Sequence, residues 1–313
     1  WDNLKYKFSW GSDLAFWGSD SYSYPHYINK DAKNDKSSVT SSMNRGYTWQ
    51  IENLLTYDKT FGKHSVAVVL GQSAQEYKSR SLGGSAQDMV AYLGDKANLD
   101  FTTGLQSDGK RNAWGGLGNP NSLASYFGRL SYNYAERYMV QATVRRDGSS
   151  LFGVNNRYGV FPAFSAGWRI KDEAFMEDAD WLSDLKIRFS WGTNGSVQGL
   201  PRGYTTTPFT TNYFDTAYPI KGQATGALQS GYRRTWIGNP DLKWETTKQT
   251  DFGVDFGFFN QRLTGSFDYY YKKTNDILVQ TPYIAAMGEG GEPWVNGASM
   301  NNQGVEFTVS FKS

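Results

Sequence analysis

Residues Leu4, Tyr6, Phe8 and Trp10 alternate with Lys5, Lys7 and Ser9. Strict alternation puts successive side chains on opposite faces of a β-strand, one face apolar and the other polar. The same period of two recurs along the chain and predicts ten strands. After the first, the second carries Tyr47, Trp49, Ile51, Asn53, Leu55 and Tyr57 in its apolar phase, and the third Val66, Val68 and Leu70. The fourth has Tyr126, Gly128, Leu130, Tyr132 and Tyr134, and the fifth Tyr138, Val140, Ala142 and Val144. The sixth shows Phe164, Ala166, Trp168 and Ile170, and the seventh Leu185, Ile187, Phe189 and Trp191. Phe252, Val254, Phe256 and Phe258 mark the eighth; Leu263, Gly265, Phe267, Tyr269 and Tyr271 the ninth; Val305, Phe307, Val309 and Phe311 the last. None of these positions is charged. The opposite phase holds Lys5, Lys7, Glu52, Arg129, Arg145, Arg169, Lys186, Arg188, Asp251, Asp255, Asp268, Lys272 and Glu306.

Two environments suit this division. A soluble sheet would turn the uncharged phase into a core, and a membrane barrel would turn it to lipid with the charges in a wet lumen. An outward Lys or Arg at the bilayer midplane costs about 2–4 kcal/mol, but a soluble sheet shows a similar split. The connections separate the two. Asp58–Lys63, Ala135–Arg137 and Phe259–Arg262 are short, and Lys171–Asp184 is moderate. Between them lie long segments at 11–46, 78–123, 147–158, 193–243 and 274–301. Outer-membrane barrels show this alternation of tight periplasmic turns and large external loops. Compact soluble domains seldom hold several loops beyond ~15 residues. Tyr57, Tyr132, Tyr134, Tyr138 and Phe258 flank the short turns, while Trp10, Trp49, Trp191 and Trp244 lie towards the long loops. Two such belts fit two lipid–water interfaces.

The expectation is therefore an all-β, transmembrane antiparallel β-barrel. Leu4, Tyr6, Phe8, Trp10, Val140, Phe189, Val254, Phe256, Phe267, Val305 and Phe307 are expected to face lipid. Lys5, Lys7, Arg129, Arg145, Arg169, Arg188, Asp251, Asp255, Asp268 and Glu306 are expected to face the lumen.

Composition sharpens this picture. Aromatics make up 16% of the 313 residues and Gly is frequent, which suits strands and turns. There is no Cys, so disulfides, thiolate metal sites and a cysteine nucleophile are excluded. A net charge of +2 does not argue for nucleic acid as a partner. The longest apolar run, Val66–Leu70, is far short of the ~20 residues of a spanning helix, but a spanning strand needs only ~10. No signal peptide is apparent and Trp1 opens in or just before a strand, so the N-terminus reads as a truncation.

No catalytic constellation emerges. His26 and His64 have no ligands at metal spacing, so no metal or cofactor is expected. Gly195-Ser196-Val197-Gln198-Gly199 is not a Gly-x-Ser-x-Gly elbow, and Gly116-Leu117-Gly118 lacks the rest of a dinucleotide fingerprint. Lys33 interrupts the acidic-polar run Asn29–Asp35 where a calcium loop needs oxygen. Arg145-Arg146 and Arg233-Arg234 read as solvated or lumen-facing pairs, with contact to anionic lipid headgroups or ligand as the alternative, and Asp172–Asp184 as a short cap between strands. Loop aromatics Trp114, Tyr204, Tyr213, Tyr232 and Trp236, with Arg233, are candidates to touch a ligand or a lid protein.

Four blocks carry a resemblance. Ser125–Ile170 (SYFGRLSYNYAERYMVQATVRRDGSSLFGVNNRYGVFPAFSAGWRI), Trp181–Gly195 (WLSDLKIRFSWGTNG), Gly238–Leu278 (GNPDLKWETTKQTDFGVDFGFFNQRLTGSFDYYYKKTNDIL) and Asn301–Phe307 (NNQGVEF) cover roughly a third of the chain. In that order they resemble the SusC/RagA branch of TonB-dependent outer-membrane transporters. The resemblance implies a barrel of about 22 strands with a plugged lumen, a SusD-like lipoprotein lid and uptake driven by the TonB complex from the bacterial outer membrane. No plug domain, TonB-contacting segment or closing strand is recognisable, so the chain is expected to be an incomplete segment of that barrel. An open sheet of ten strands would leave two edges that lipid cannot satisfy. The implied cargo is a nutrient oligomer, a glycan ahead of a peptide, and no enzyme activity is expected. A passive porin or adhesin barrel and a soluble lectin-like β-protein are the alternatives, with a loop-borne hydrolase behind them.

Overall fold

The computed structural model describes residues 3–90, 96–107, 109–118, 120–211, 216, 231–282 and 291–313. Its strands, in chain order, are β1 (Leu4–Ser23), β2 (His26–Tyr27), β3 (Lys33–Asn34), β4 (Ser38–Phe61), β5 (His64–Gln87), β6 (Arg111–Leu117), β7 (Asn121–Tyr134) and β8 (Tyr138–Ser149). There follow β9 (Tyr158–Arg169), β10 (Leu182–Ser196), β11 (Phe209–Thr210), β12 (Arg233–Arg234), β13 (Glu245–Phe258), β14 (Leu263–Gln280) and β15 (Trp294–Phe311). Among the described residues no helix is long and apolar enough to cross a membrane, which says nothing about crossing by strands.

The chain divides into two compact units. The first comprises Trp1–Ser9, Ile51–Ala74 and Ser122–Ser313. It holds one sheet in the order β1-β4-β5-β7-β8-β9-β10-β13-β14-β15, so all ten strands expected from the alternation are present. From β7 to β15 every pairing is antiparallel. Neighbours in sequence are neighbours in the sheet, as an up-and-down meander of hairpins requires. The second unit, Trp10–Gln50 and Gln75–Asn121, contains the later residues of β1 and β5 and the earlier residues of β4. There β6 pairs with β5 from Arg80↔Leu117 to Ala86↔Arg111.

Turn chemistry fixes the short end of the first unit. Gly62 (φ +60°) turns β4 into β5, a conformation glycine adopts without steric cost. The β7–β8 turn instead places Ala135 (φ 53°) and Glu136 (φ 59°) in the left-handed region, and β13–β14 does so with Phe259, Asn260 and Gln261. Tight hairpins of this hand need positive φ at their central residues, and without glycine each such residue is strained by about 1–2 kcal/mol. The ladders on either side enforce it. The connection from β9 to β10 is short and carries two 3₁₀ turns, at Ile170–Asp172 and Ala174–Met176; the expected cap Asp172–Asp184 ends early, since Leu182–Asp184 already belongs to β10.

The long segments are shorter than the alternation suggested. Of 11–46, β1 occupies residues through Ser23 and β4 begins at Ser38. Within 78–123, β5 continues to Gln87, β6 intervenes and β7 starts at Asn121. Segment 147–158 loses its ends to β8 and β9, and 193–243 its start to β10, which reaches Ser196. Segment 274–301 contains the end of β14 and the start of β15. The physical reason is that a backbone ladder persists wherever partners exist, while apolar alternation persists only where the two faces meet different solvents.

Candidate functional site

On the first unit's sheet the register brings like phases together. Phe267 stands between Val254 and Phe307, Phe189 between Ala166 and Phe252, and Val140 between Tyr132 and Ala166. Phe256 lies opposite Leu185 and Val305 opposite Tyr269. Several of these apolar side chains are exposed: Phe307 retains 67% of its accessible surface and Val305 61%. Tyr6, Phe8 and Trp10 are likewise exposed, and Leu4, Val254 and Phe256 half-buried. Polar groups in the same phase form a relay: Tyr6 Oη donates to Asn53 Oδ1 at 2.7 Å, and Asn53 Nδ2 donates to Gln72 Oε1 at 2.7 Å.

The opposite face is a charged network. Arg188 Nε and Nη2 donate to Asp255 Oδ2 and Oδ1, both at 2.8 Å, and Nη2 also reaches Asp268 Oδ1 at 2.8 Å. Arg188 pairs in register with Gly253, and Gly253 with Asp268. A Cβ on Gly253 would stand 2.4 Å from Asp268 Oδ1 and 2.8 Å from Arg188 Cζ. Asp251 accepts from Ser190 Oγ at 3.1 Å and from Gln249 Nε2 at 3.0 Å. Arg145 Nε donates to both Asp147 oxygens at 2.7 Å, and its Nη2 to Ser125 Oγ at 3.0 Å. Arg169 lies 3.8 Å from Asp184 and Lys5 3.6 Å from Asp58. Arg129 is opposite Thr143, Glu306 is opposite Asp268, and Lys7 is exposed. Small side chains at Ser65, Ala67, Ser131, Ser165 and Ser190 leave a hollow of about 410 Å³ on this face, with Lys186 and Arg188 at its wall.

Above the long-loop ends, Leu151, Phe152, Phe161, Leu200, Leu242, Trp244 and Leu278 form a buried cluster. Trp244 packs against Phe152 and Phe161 with ring centroids 5.3 and 5.5 Å apart. Polar clamps hold the segment Gly238–Trp244: Asn239 Nδ2 donates to the Trp294 carbonyl at 3.0 Å, Asn156 Nδ2 to the Asp241 carbonyl at 2.9 Å and Trp244 Nε1 to the Arg157 carbonyl at 3.1 Å. This cluster decides the fate of several ring candidates. Tyr204 stacks on Trp236 at 4.8 Å and meets Trp294 edge-on at 6.1 Å, so those rings are engaged in packing. Tyr232 is 76% exposed and Arg233 is exposed on a two-residue ribbon opposite Thr210. Trp114 belongs to the second unit, on β6 opposite Gly83. Tyr213 lies outside the described residues. Sequence reasoning missed Leu242, Asn239 and Phe152; the density of apolar and cap residues in GNPDLKW was the only signal for the first two, and nothing in SSLFGVNN marked Phe152 as buried.

At the short-turn end an aromatic row runs across the sheet. His64 lies 4.8 Å from Tyr134, Tyr134 6.2 Å from Tyr138, and Tyr138 stacks on Trp168 at 6.4 Å. His64 Nδ1 bonds Tyr132 Oη at 2.8 Å. Glu173, in the connection after β9, accepts from Tyr138 Oη at 2.5 Å and Trp168 Nε1 at 2.9 Å. Tyr138 first, then Trp168 and the nearby Arg137, hold its carboxyl below the usual carboxylate range. Among the described residues no group of metal-ligating side chains comes together.

A family model described as "TonB dependent receptor-like, beta-barrel" matches residues 1–312. The chain belongs to this family. Within it, TonB-dependent receptor SusC of Bacteroides thetaiotaomicron is 38% identical over 193 residues, 61% of this chain and 19% of that protein. TonB-dependent receptor P3 of Formosa agariphila is 32% identical over 262 residues, 84% of this chain and 25% of that protein. A solved structure of the RagAB peptide importer in its closed-closed state superposes with a TM-score of 0.81 at 25% identity, over 98% of this chain and 32% of that one. The chain thus spans about a fifth to a third of the length of these relatives. It is a TonB-dependent receptor β-barrel segment of the SusC/RagA type, and its place is the bacterial outer membrane.

Proposed function

We propose that this chain supplies barrel wall and external loops to an importer of nutrient oligomers. A SusD-like surface lipoprotein covers the loops, and the TonB complex drives uptake through a plug formed elsewhere in the whole receptor. The uncharged phase faces lipid and the charged phase the lumen. The division of the sheet carries this reading. Phe307, Val305 and Phe267 remain exposed on one face, while Arg188, Asp255 and Asp268 tie three strands together on the other. Covering that apolar face with acyl chains gains about 25 cal/mol per Å² removed from water, and a charged lumen wall stays hydrated.

A glycan is the favoured cargo, because Tyr232 offers an exposed ring on which a sugar can stack. A peptide is the second reading, favoured by the likeness to the solved structure of a peptide importer. In either case the role of the wall is mechanical: its strands satisfy their own backbone groups in lipid and hold the loops.

The test uses the whole receptor in its host. Deleting its gene abolishes uptake of a fluorescent oligosaccharide or oligopeptide, and dissipating the proton-motive force does the same in the intact strain. Uptake that survives dissipation, or a large ligand-independent conductance of the purified receptor in planar bilayers, identifies a passive porin and overturns the proposal.

A further inference from the structure

The uncharged phase ceases to be uncharged just past its outer aromatics. Trp191, Thr250 and Tyr271 stand side by side across β10, β13 and β14. The next triplet in the same phase is Thr193, Lys248 and Lys273. No bulge interrupts the β13–β14 register between Thr246 and Phe258, so both lysines share the face of Phe252 and Phe267. They are directly opposite each other and exposed, and neither makes an ion pair among the described residues. Like charges directly opposite across an antiparallel pair are destabilising. Two residues of strand put them ~7 Å beyond the ring pair. Arg146 continues the pattern on β8: it shares the phase of Val140, lies opposite Val160, and its guanidinium sits 4.2 Å over the Tyr158 ring.

We infer that Lys248 and Lys273 together bind the phosphate of an outer-leaflet lipid head group. The inference rests on the reading of this face as lipid-facing. Interfacial rings of Trp and Tyr sit at head-group depth, so cations one step further out meet phosphate rather than acyl chains. A lysine near the interface costs only about 0–1 kcal/mol, and its flexible stem lets the ammonium reach outward. One shared phosphate neutralises both charges and removes the repulsion that the register imposes. A free surface pair would gain nothing from being adjacent.

The test is native mass spectrometry of the full-length receptor with added lipid A, either phosphorylated or enzymatically dephosphorylated. The wild type retains the phosphorylated form preferentially. Lys248→Gln/Lys273→Gln weakens that retention roughly ten- to thirtyfold, while Lys272→Gln, on the opposite face, leaves it unchanged. The double variant removes a repulsion, so folding is preserved; a heat-modifiability gel verifies this. Equal retention of both lipids by the wild type, or unchanged retention by the double variant, overturns the inference. Nitroxide labels at Phe267 and Val305 separate its failure from that of the underlying reading. Labels more accessible to oxygen than to a polar nickel complex keep the lipid-facing assignment even if the phosphate site falls, and the reverse accessibility removes both.

Discussion

Arg188 on β10 donates to Asp268 on β14 at 2.8 Å although β13 runs between them. The bond exists because Gly253 occupies the intervening register position and leaves no side chain in the way. The glycine here is a passage for a guanidinium, and the three strands are laced on the charged face without any turn connecting β10 to β14.

Gly253→Val therefore closes the passage. The Arg188–Asp268 bond breaks and Arg188 must also shift against Asp255. The groups are about a third exposed, so water replaces part of the lost interaction. The expected loss is about 1–2 kcal/mol, read as a lower urea midpoint of the full-length receptor in lipid vesicles. Asp268→Asn, which keeps an acceptor, loses less.

Glu173 makes the short-turn end sensitive to acid. Its carboxyl titrates below the usual range because Tyr138 and Trp168 donate to the ionised form. A depressed folded value means that the stabilisation is present above the unfolded carboxylate value and is lost as pH falls through the folded one. Trp168 fluorescence is expected to change only below the ordinary carboxylate range, and Glu173→Gln removes that transition.

The strand pattern was legible in the sequence because two different solvents imprint a period of two on each spanning segment, as in Phe267 against Asp268. What lay outside the belts was not. In Ser12–Ser23 of β1, Leu14 and Phe16 still follow the phase of Trp10, but Ser12, Gly18 and Asp20 interrupt it, so the ladder outruns any clean alternation. The lysines at 248 and 273 escaped notice for the same reason, since they belong to a phase whose apolar run ends at Phe252 and Tyr271. Nor does the sequence separate Tyr204, engaged with Trp236, from Tyr232, which stands free of the core; that depends on contacts between distant segments. Ala135 and Glu136 hide their turn because neither is the glycine that its backbone would favour.

Leu242 is fully buried in the outer cluster, against Trp244 and its partners. Leu242→Ala leaves a cavity there and is expected to cost about 2–4 kcal/mol of local stability. Limited proteolysis checks it: cleavage appears in the 238–244 segment while the strands β7–β10 remain protected.

The two loop rings separate binding from packing. Tyr232→Ala is expected to weaken oligomer binding about three- to tenfold with the melting temperature unchanged. Trp236→Ala lowers the melting temperature first, because it removes the ring on which Tyr204 stacks. Equal effects of both on binding, with no thermal shift for either, would assign Trp236 to the ligand instead.

Phe307 offers the sharpest test of which solvent the uncharged face meets. The ring is 67% exposed in the chain itself and lies opposite Phe267, midway along the apolar run from Leu263 to Tyr271. If that face met water, Phe307→Arg would be a surface change worth no more than about 0.5 kcal/mol. If it met acyl chains, the same change would cost about 2–4 kcal/mol. Thr308→Arg, one residue along and on the charged face, is expected to be tolerated in either case. Urea unfolding of the full-length receptor in vesicles, followed by the heat shift on a gel, gives both numbers. A destabilised Phe307→Arg beside a near-neutral Thr308→Arg assigns the face to lipid, and two near-neutral variants would return it to water.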